Sequence, residues 1–138
     1  MELLIFSDSH GRAENIQVAL ERQVKAPDAV LFLGDGARDL DRIFLCDVPL
    51  WAVRGNCDAE VDQMVLDFPC MADYAWIIDS GHQLYCTHGH LWDPEKLPPL
   101  AKGTAFLYGH FHVKRNEMGE RIRLFNPGSV GLPKDGTN

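Results

Sequence analysis

Five apolar runs rich in β-forming residues, each ending directly in a polar cluster, constrain this chain more than any other feature. The clusters are Ser7-Asp8-Ser9-His10, Gly34-Asp35-Gly36, Arg54-Gly55-Asn56-Cys57-Asp58, Thr87-His88-Gly89-His90 and Gly109-His110-Phe111-His112. The first three runs, Leu3 to Phe6, Ala29 to Leu33 and Leu50 to Val53, read as buried strands. Between the first two, Ile16, Ala19, Leu20 and Val24 recur at helical spacing over Ala13 to Lys25, with Pro27 as a stop. A shorter helix is expected over Arg38 to Leu45, with Leu40, Ile43 and Phe44 on one side. This βαβαβ order predicts right-handed crossovers and parallel strands.

The second half reads differently. Tyr74 to Ile78, a turn at Asp79-Ser80-Gly81, and Gln83 to Thr87 predict a hairpin. Thr104 to Tyr108 is a further strand, and Val113 to Met118 with Arg121 to Asn126 flank a Gly119 turn as a second hairpin. The expectation is an α/β chain with two packed sheets and helices outside, forming one domain over residues 1–138. Trp92 to Pro99, with three prolines, reads as a surface loop beside a pocket. Trp92 either packs that loop onto the core or stacks on a bound ring.

Charge and length exclude several classes. Thirteen Lys and Arg against twenty Asp and Glu give a net charge of −7, so a basic nucleic-acid face is not expected. No apolar run approaches the roughly twenty residues of a membrane span, and Met1 to Phe6 lacks the pattern of a secretory signal. The expected setting is the cytoplasm. Cys46, Cys57, Cys70 and Cys86 form no CxxC pair and read as reduced thiols; Cys46, Cys70 and Cys86 lie in apolar surroundings and read as core, whereas Cys57 sits in a polar loop.

In parallel sheets, ligands bind beyond the carboxyl ends of the strands, so the five clusters converge if their strands are neighbours. Five of the six histidines fall in them, while His82, in a hairpin turn, stays outside the set. One Asp in a strand-end turn is more often a cap, and a lone His more often a satisfied polar residue. Neither explains a metal-donor residue after each of five strands. Carboxylates, an amide and imidazoles with a single nearby thiol suit Mn, Fe, Co, Ni or Zn better than a thiolate zinc or an all-oxygen calcium site. Seven or eight donors exceed one ion's needs, so a pair bridged by Asp35 is the natural use. Dinucleotide-fingerprint, P-loop and HExxH patterns are absent. A (β/α)₈ barrel needs about 250 residues.

In order, the blocks resemble the calcineurin-like metallophosphoesterases, whose pattern is D-x-H, G-D, G-N-x-[DEH], H and G-H-x-H. Arg54 to Asp58, Thr87 to His90 and Asn126-Pro127-Gly128-Ser129 look most like the small bacterial and archaeal phosphodiesterase branch. The resemblance implies a four-layer α-β-β-α sandwich of two mixed sheets. It implies that Asp8, His10 and His112 hold one divalent ion, that Asn56, His88 and His110 hold a second, and that Asp35 bridges them. Mn²⁺ is the first choice, with Ni²⁺, Co²⁺, Fe²⁺ or Zn²⁺ as alternatives. The implied reaction is hydrolysis of a small phosphodiester by a bridging hydroxide, with Asp35 and Asn56 in the catalytic centre. The rival reading is a non-catalytic scaffold on the same fold, and an intact set of seven ligands favours the enzyme.

Three departures from the family pattern carry expectations. Cys57 stands where many relatives have a His that protonates the leaving group, so Cys57, His90 or a water takes that role, and diesters with acidic leaving groups are favoured. Phe111 replaces the usual Thr or Ser between the two histidines. Relatives continue with strands beyond Asn138, which predicts an unpaired sheet edge and self-association as a homo-oligomer.

Overall fold

The computed structural model describes residues 1–137. Strands β1 (Leu3–Phe6), β2 (Ala29–Phe32) and β3 (Leu50–Ala52) form a three-stranded sheet in the order β1-β2-β3, with both pairings parallel. Strands β4 (Tyr74–Asp79), β5 (His82–Thr87), β6 (Ala105–Leu107), β7 (Arg115–Met118) and β8 (Arg123–Asn126) form a second sheet in the order β4-β5-β6-β8-β7. Its centre is parallel and both outer pairs are antiparallel, so only this sheet is mixed.

Alternation along the strands decides which face meets which layer. Leu31 and Leu33 from the first sheet pack with Cys86, Leu107 and Phe125 from the second, closing one apolar core between the sheets. The opposite faces of β1 and β2, carrying Phe6, Val30 and Phe32, meet Ile16 of helix α1 (Ala13–Glu21) and Leu40 of a short 3₁₀ segment, Ala37–Arg42. The outer face of the second sheet carries Tyr85, Phe106 and Tyr108, packed by Trp92, Leu100 and Ile122. The two-sheet sandwich is therefore as expected. Its fourth layer, among the described residues, is the irregular chain around Trp92 rather than a helix, because side chains from a proline-bearing loop already cover that face. Trp92 meets Tyr74 and Tyr85 edge to face, which is the packing role.

Local expectations fail in a few places. Helix α1 stops at Glu21, four residues early, and Val24 is fully exposed instead of facing the core. The expected Arg38 to Leu45 helix is one 3₁₀ segment, with Phe44 beyond it and 72% exposed; the Phe44 amide donates to Gln17 Oε1 instead. Cys46 is exposed rather than core, because Cys46 and Asp47 both take left-handed backbone in a turn that points the thiol outward. Cys70 and Cys86 are buried as expected. A further 3₁₀ segment, Glu60–Val65, was not predicted; its apolar Val61, Met64 and Val65 stand at helical spacing yet are all exposed. Asp79 pairs with His82, so the first hairpin turns on Ser80-Gly81 alone, both at positive φ as a two-residue loop requires. No helix among the described residues is long and apolar enough to cross a membrane.

Candidate metal centre

The loops leaving β1, β2, β3, β5 and β6 are stitched together by hydrogen bonds from main-chain amides. The Asp8 amide donates to Gly34 O (2.9 Å), the Gly109 amide to His88 O (2.7 Å), and the His110 amide to Asp8 Oδ2 (2.9 Å). Contact is so close that Gly55 has no room for a Cβ beside the Asp35 main chain and carboxylate. Five non-glycine residues here, Asp8, His10, Asp35, His110 and His112, have left-handed backbone with φ between 43 and 67°. Such conformations cost on the order of 1 kcal/mol each or more. They persist only where neighbouring hydrogen bonds hold them.

Four polar side chains do that holding, and sequence reasoning assigned none of them this part. Asp58 accepts four main-chain amides: Asp35 (2.9 Å) and Gly55 (2.8 Å) at Oδ2, and Gly36 (2.9 Å) and Ala37 (3.0 Å) at Oδ1. It thereby clamps the Asp35 loop to the Asn56 loop. Asp39 Oδ2 accepts from Ser9 Oγ (2.6 Å) and the Gly11 amide (2.8 Å). Ser129 Oγ donates to Asp8 O (2.6 Å), while Asn126 Nδ2 donates to Gly109 O (3.0 Å). These last two give the Asn126 to Ser129 segment its use as a brace beneath two site loops.

The structure brings all seven sequence-predicted ligand residues into one crevice. One triad is Asp8, His10 and His112; another is Asp35, His88 and His110; within each, one ligand atom per residue lies within 4.8 Å of the others. Asn56 Oδ1 lies 3.0 Å from both His88 Nε2 and His110 Nδ1. His10 Nε2 is 3.8 Å from Asp35 Oδ2 and His88 Nε2 is 3.2 Å from it, so this carboxylate of the second triad also faces the first. Cys57 Sγ also lies within 4.8 Å of His10 and Asp35 ligand atoms. His90 is exposed at the rim, its ring 5.4 Å from that of His88 and 6.4 Å from that of His110.

The donor chemistry fits cations. His88 Nδ1 is 2.7 Å from Leu33 O and His112 Nδ1 is 2.7 Å from Leu132 O, which sets the proton on Nδ1 and turns the Nε2 lone pairs inward. Asp8 Oδ1 is buried without a hydrogen bond, 3.2 Å from His112 Nε2. A buried carboxylate oxygen facing imidazole lone pairs is stable only with positive charge between them.

Without ions a proton supplies part of that charge. Burial opposes it, yet hydrogen bonds from His88 and the Cys57 amide, with the His88 charge, bring the Asp35 carboxyl down to about 2. Burial likewise opposes His88, but Asp35 and Asp8 raise its pKa above 6.5. Burial and then the charge on His88 lower the pKa of His90 and of His110. Burial and Asp35 raise the Cys57 thiol, which keeps its proton at neutral pH.

A pH dependence follows. The Asp35 contribution is present above the ordinary carboxyl value of 3.8 and is lost as pH falls toward 2. The His88 contribution is complete below 6.5 and is lost as pH rises through its higher folded value. Chelator-treated protein should therefore be most stable between those limits and weaken above neutrality, as urea denaturation across that range would register. A flat profile would contradict the pairing.

The family model for the calcineurin-like phosphoesterase superfamily domain matches residues 1–138, and the chain belongs to that superfamily. Among individual relatives, it is 36% identical over 152 residues to phosphodiesterase YfcE of Escherichia coli K12, covering 99% of this chain and 83% of that one. The solved structure of the Escherichia coli YfcE phosphoesterase superposes with a TM-score of 0.87 at 35% identity, covering 99% of this chain and 84% of that one. A probable metallophosphoesterase of Bacillus subtilis, YsnB, is 28% identical, covering 97% of this chain and 78% of that one.

Proposed function

We propose that this protein hydrolyses small phosphodiesters with two divalent ions. Asp8, His10 and His112 would hold one, Asn56, His88 and His110 the other, and Asp35 would lie between them. The observation that carries the reading is the convergence of two donor triads on one crevice around a buried, unpartnered carboxylate oxygen. The likeness to an Escherichia coli phosphodiesterase supports the diester class. When bound, such a pair of ions supplies a water acidic enough to attack at neutral pH and positive charge for the phosphate oxygens. The proposed setting is the cytoplasm, in keeping with four unpaired cysteines.

The chain's own groups have separable tasks. Asp35 stays ionised throughout the physiological range and is oriented by the Cys57 amide, 2.7 Å from its Oδ1. His88 and His112 are held in one tautomer by main-chain carbonyls, so they need no reorientation to bind a cation. The protonated Cys57 thiol at the mouth can give a proton to a departing alcohol, and His90, kept largely neutral, accepts one more readily than it gives one. A thiol is a weak acid, so esters whose alcohols leave as stable anions, which need protonation least, are the favoured substrates.

The decisive experiment combines metal analysis with turnover of bis(4-nitrophenyl) phosphate, with and without added Mn²⁺. Mn²⁺-dependent release of nitrophenolate is expected, with kcat/KM well above that for simple alkyl phosphate monoesters. The reverse preference would overturn the diester reading. In Cys57→Ser, kcat should fall roughly tenfold to a hundredfold for a poor leaving group and much less for nitrophenolate. Equal effects on both would remove the thiol as the acid.

A further inference from the structure

Beside the metal centre lies a cleft of about 470 Å³ whose walls include Phe111, Tyr108, Val113, Lys114 and Glu95. Phe111 belongs to both. Its chain neighbours His110 and His112 are in the two triads, its ring centroid is 5.1 Å from that of His110, and it also lines the cleft. His110 and Tyr108 both lie steeply inclined to the Phe111 ring, at 77° and 76°, so neither stacks on it, and 45% of Phe111 is exposed. An apolar ring left open at a polar metal rim is a surface that a second planar ring can cover.

The charges of the cleft narrow the ligand. Arg115 is tied to Glu117 Oε2 (2.8 Å) and to Tyr108 Oη (3.3 Å), while Asp93 Oδ1 accepts the amides of Glu95 and Lys96. Asp93, Glu95 and Glu117 against Lys114 and Arg115 leave the walls one negative charge in excess. Walls of mixed sign with a slight negative excess beside an apolar ring suit an uncharged ring with donors and acceptors on its edge, and disfavour further phosphate groups.

We propose that this cleft is the subsite for a planar aromatic or heteroaromatic group on the phosphodiester that stays with phosphorus after cleavage, and that Phe111 recognises it by stacking. The proposal rests on the phosphodiesterase reading and deepens it. Phe111 is a specificity residue here, with no part in bond breaking.

The test uses ligands that hydrolysis cannot consume. Methylphosphonate and phenylphosphonate are titrated calorimetrically into Mn²⁺-loaded protein, alongside turnover of methyl 4-nitrophenyl phosphate. Phenylphosphonate should bind about tenfold tighter than methylphosphonate to the parent. In Phe111→Thr the gap should close to roughly twofold, with methylphosphonate affinity unchanged. Phe111→Leu, which keeps apolar bulk without the ring, should lose most of the gap as well. Thymidine 5′-phosphate binding tighter than phenylphosphonate would assign the subsite to a nucleoside, and weaker binding to a simple aryl group. Equal affinities in the parent, or a gap that survives in Phe111→Thr, would overturn the subsite while diester turnover stood. A tenfold gap without any turnover would sink the hydrolytic reading and keep the subsite. Failure of both phosphonates to bind, together with no turnover, would overturn both.

Discussion

Asp35→Asn should abolish turnover of an activated phosphodiester, a loss of roughly a thousandfold or more, while the protein stays folded. The carboxylate, itself in the second triad, lies 3.8 Å from His10 Nε2 and 3.2 Å from His88 Nε2, so on the two-ion proposal the change removes the negative charge both cations would share. It leaves an acceptor for the Cys57 amide at Oδ1. At the other position an amide nitrogen replaces the oxygen 3.2 Å from His88 Nε2, leaving His88 without its anionic partner. Metal analysis should find the content falling from two ions per chain toward one or none. Far-UV circular dichroism should remain that of the parent. Parental turnover in this variant would remove Asp35 from the position between the ions.

Asp58→Asn should give the largest loss of stability from a single isosteric change, about 3 kcal/mol by urea denaturation. The carboxylate accepts four amides from two loops, and an Asn side chain can accept at only one of its two ends. Two main-chain donors then face an NH₂ group, and each buried donor left without an acceptor costs about 1–3 kcal/mol. Turnover should fall with it, because the clamp sets the distance between Asp35 and Asn56. A variant as stable as the parent would show that the Gly34 to Ala37 loop holds its shape without Asp58.

Much of this was legible in the chain because strands advertise themselves twice, by apolar runs and by the polar residues that end them. Leu3 to Phe6 and Ala29 to Phe32 match their strands, and the donor residues that follow meet in space because parallel strands present their carboxyl ends on one side. Where a segment is held by single contacts, pattern fails. Val24 continues the spacing of Ile16 and Leu20, yet α1 has already ended, and Phe44 lies past its short helix with its amide on Gln17. Cys46 looked like core by neighbourhood, while the handedness of its turn decides its exposure. The braces Asp39, Asp58 and Ser129 were visible as residues but not as braces. Their partners are mostly main-chain amides and carbonyls in distant loops, which carry no sequence signal.

The loop that covers the outer face of the second sheet differs in kind from the loops beneath it. The donor-bearing loops are cross-linked by main-chain hydrogen bonds and shared carboxylates, whereas the chain around Trp92 is fastened to Tyr74 and Tyr85 by ring packing. Asp93 and Glu95, on that same chain, form one wall of the cleft beside Phe111. Reshaping it would retune what the crevice accepts without loosening the braces under the reaction. Substitutions there would alter one wall of the cleft and leave the hydrogen bonds that set the donor loops untouched.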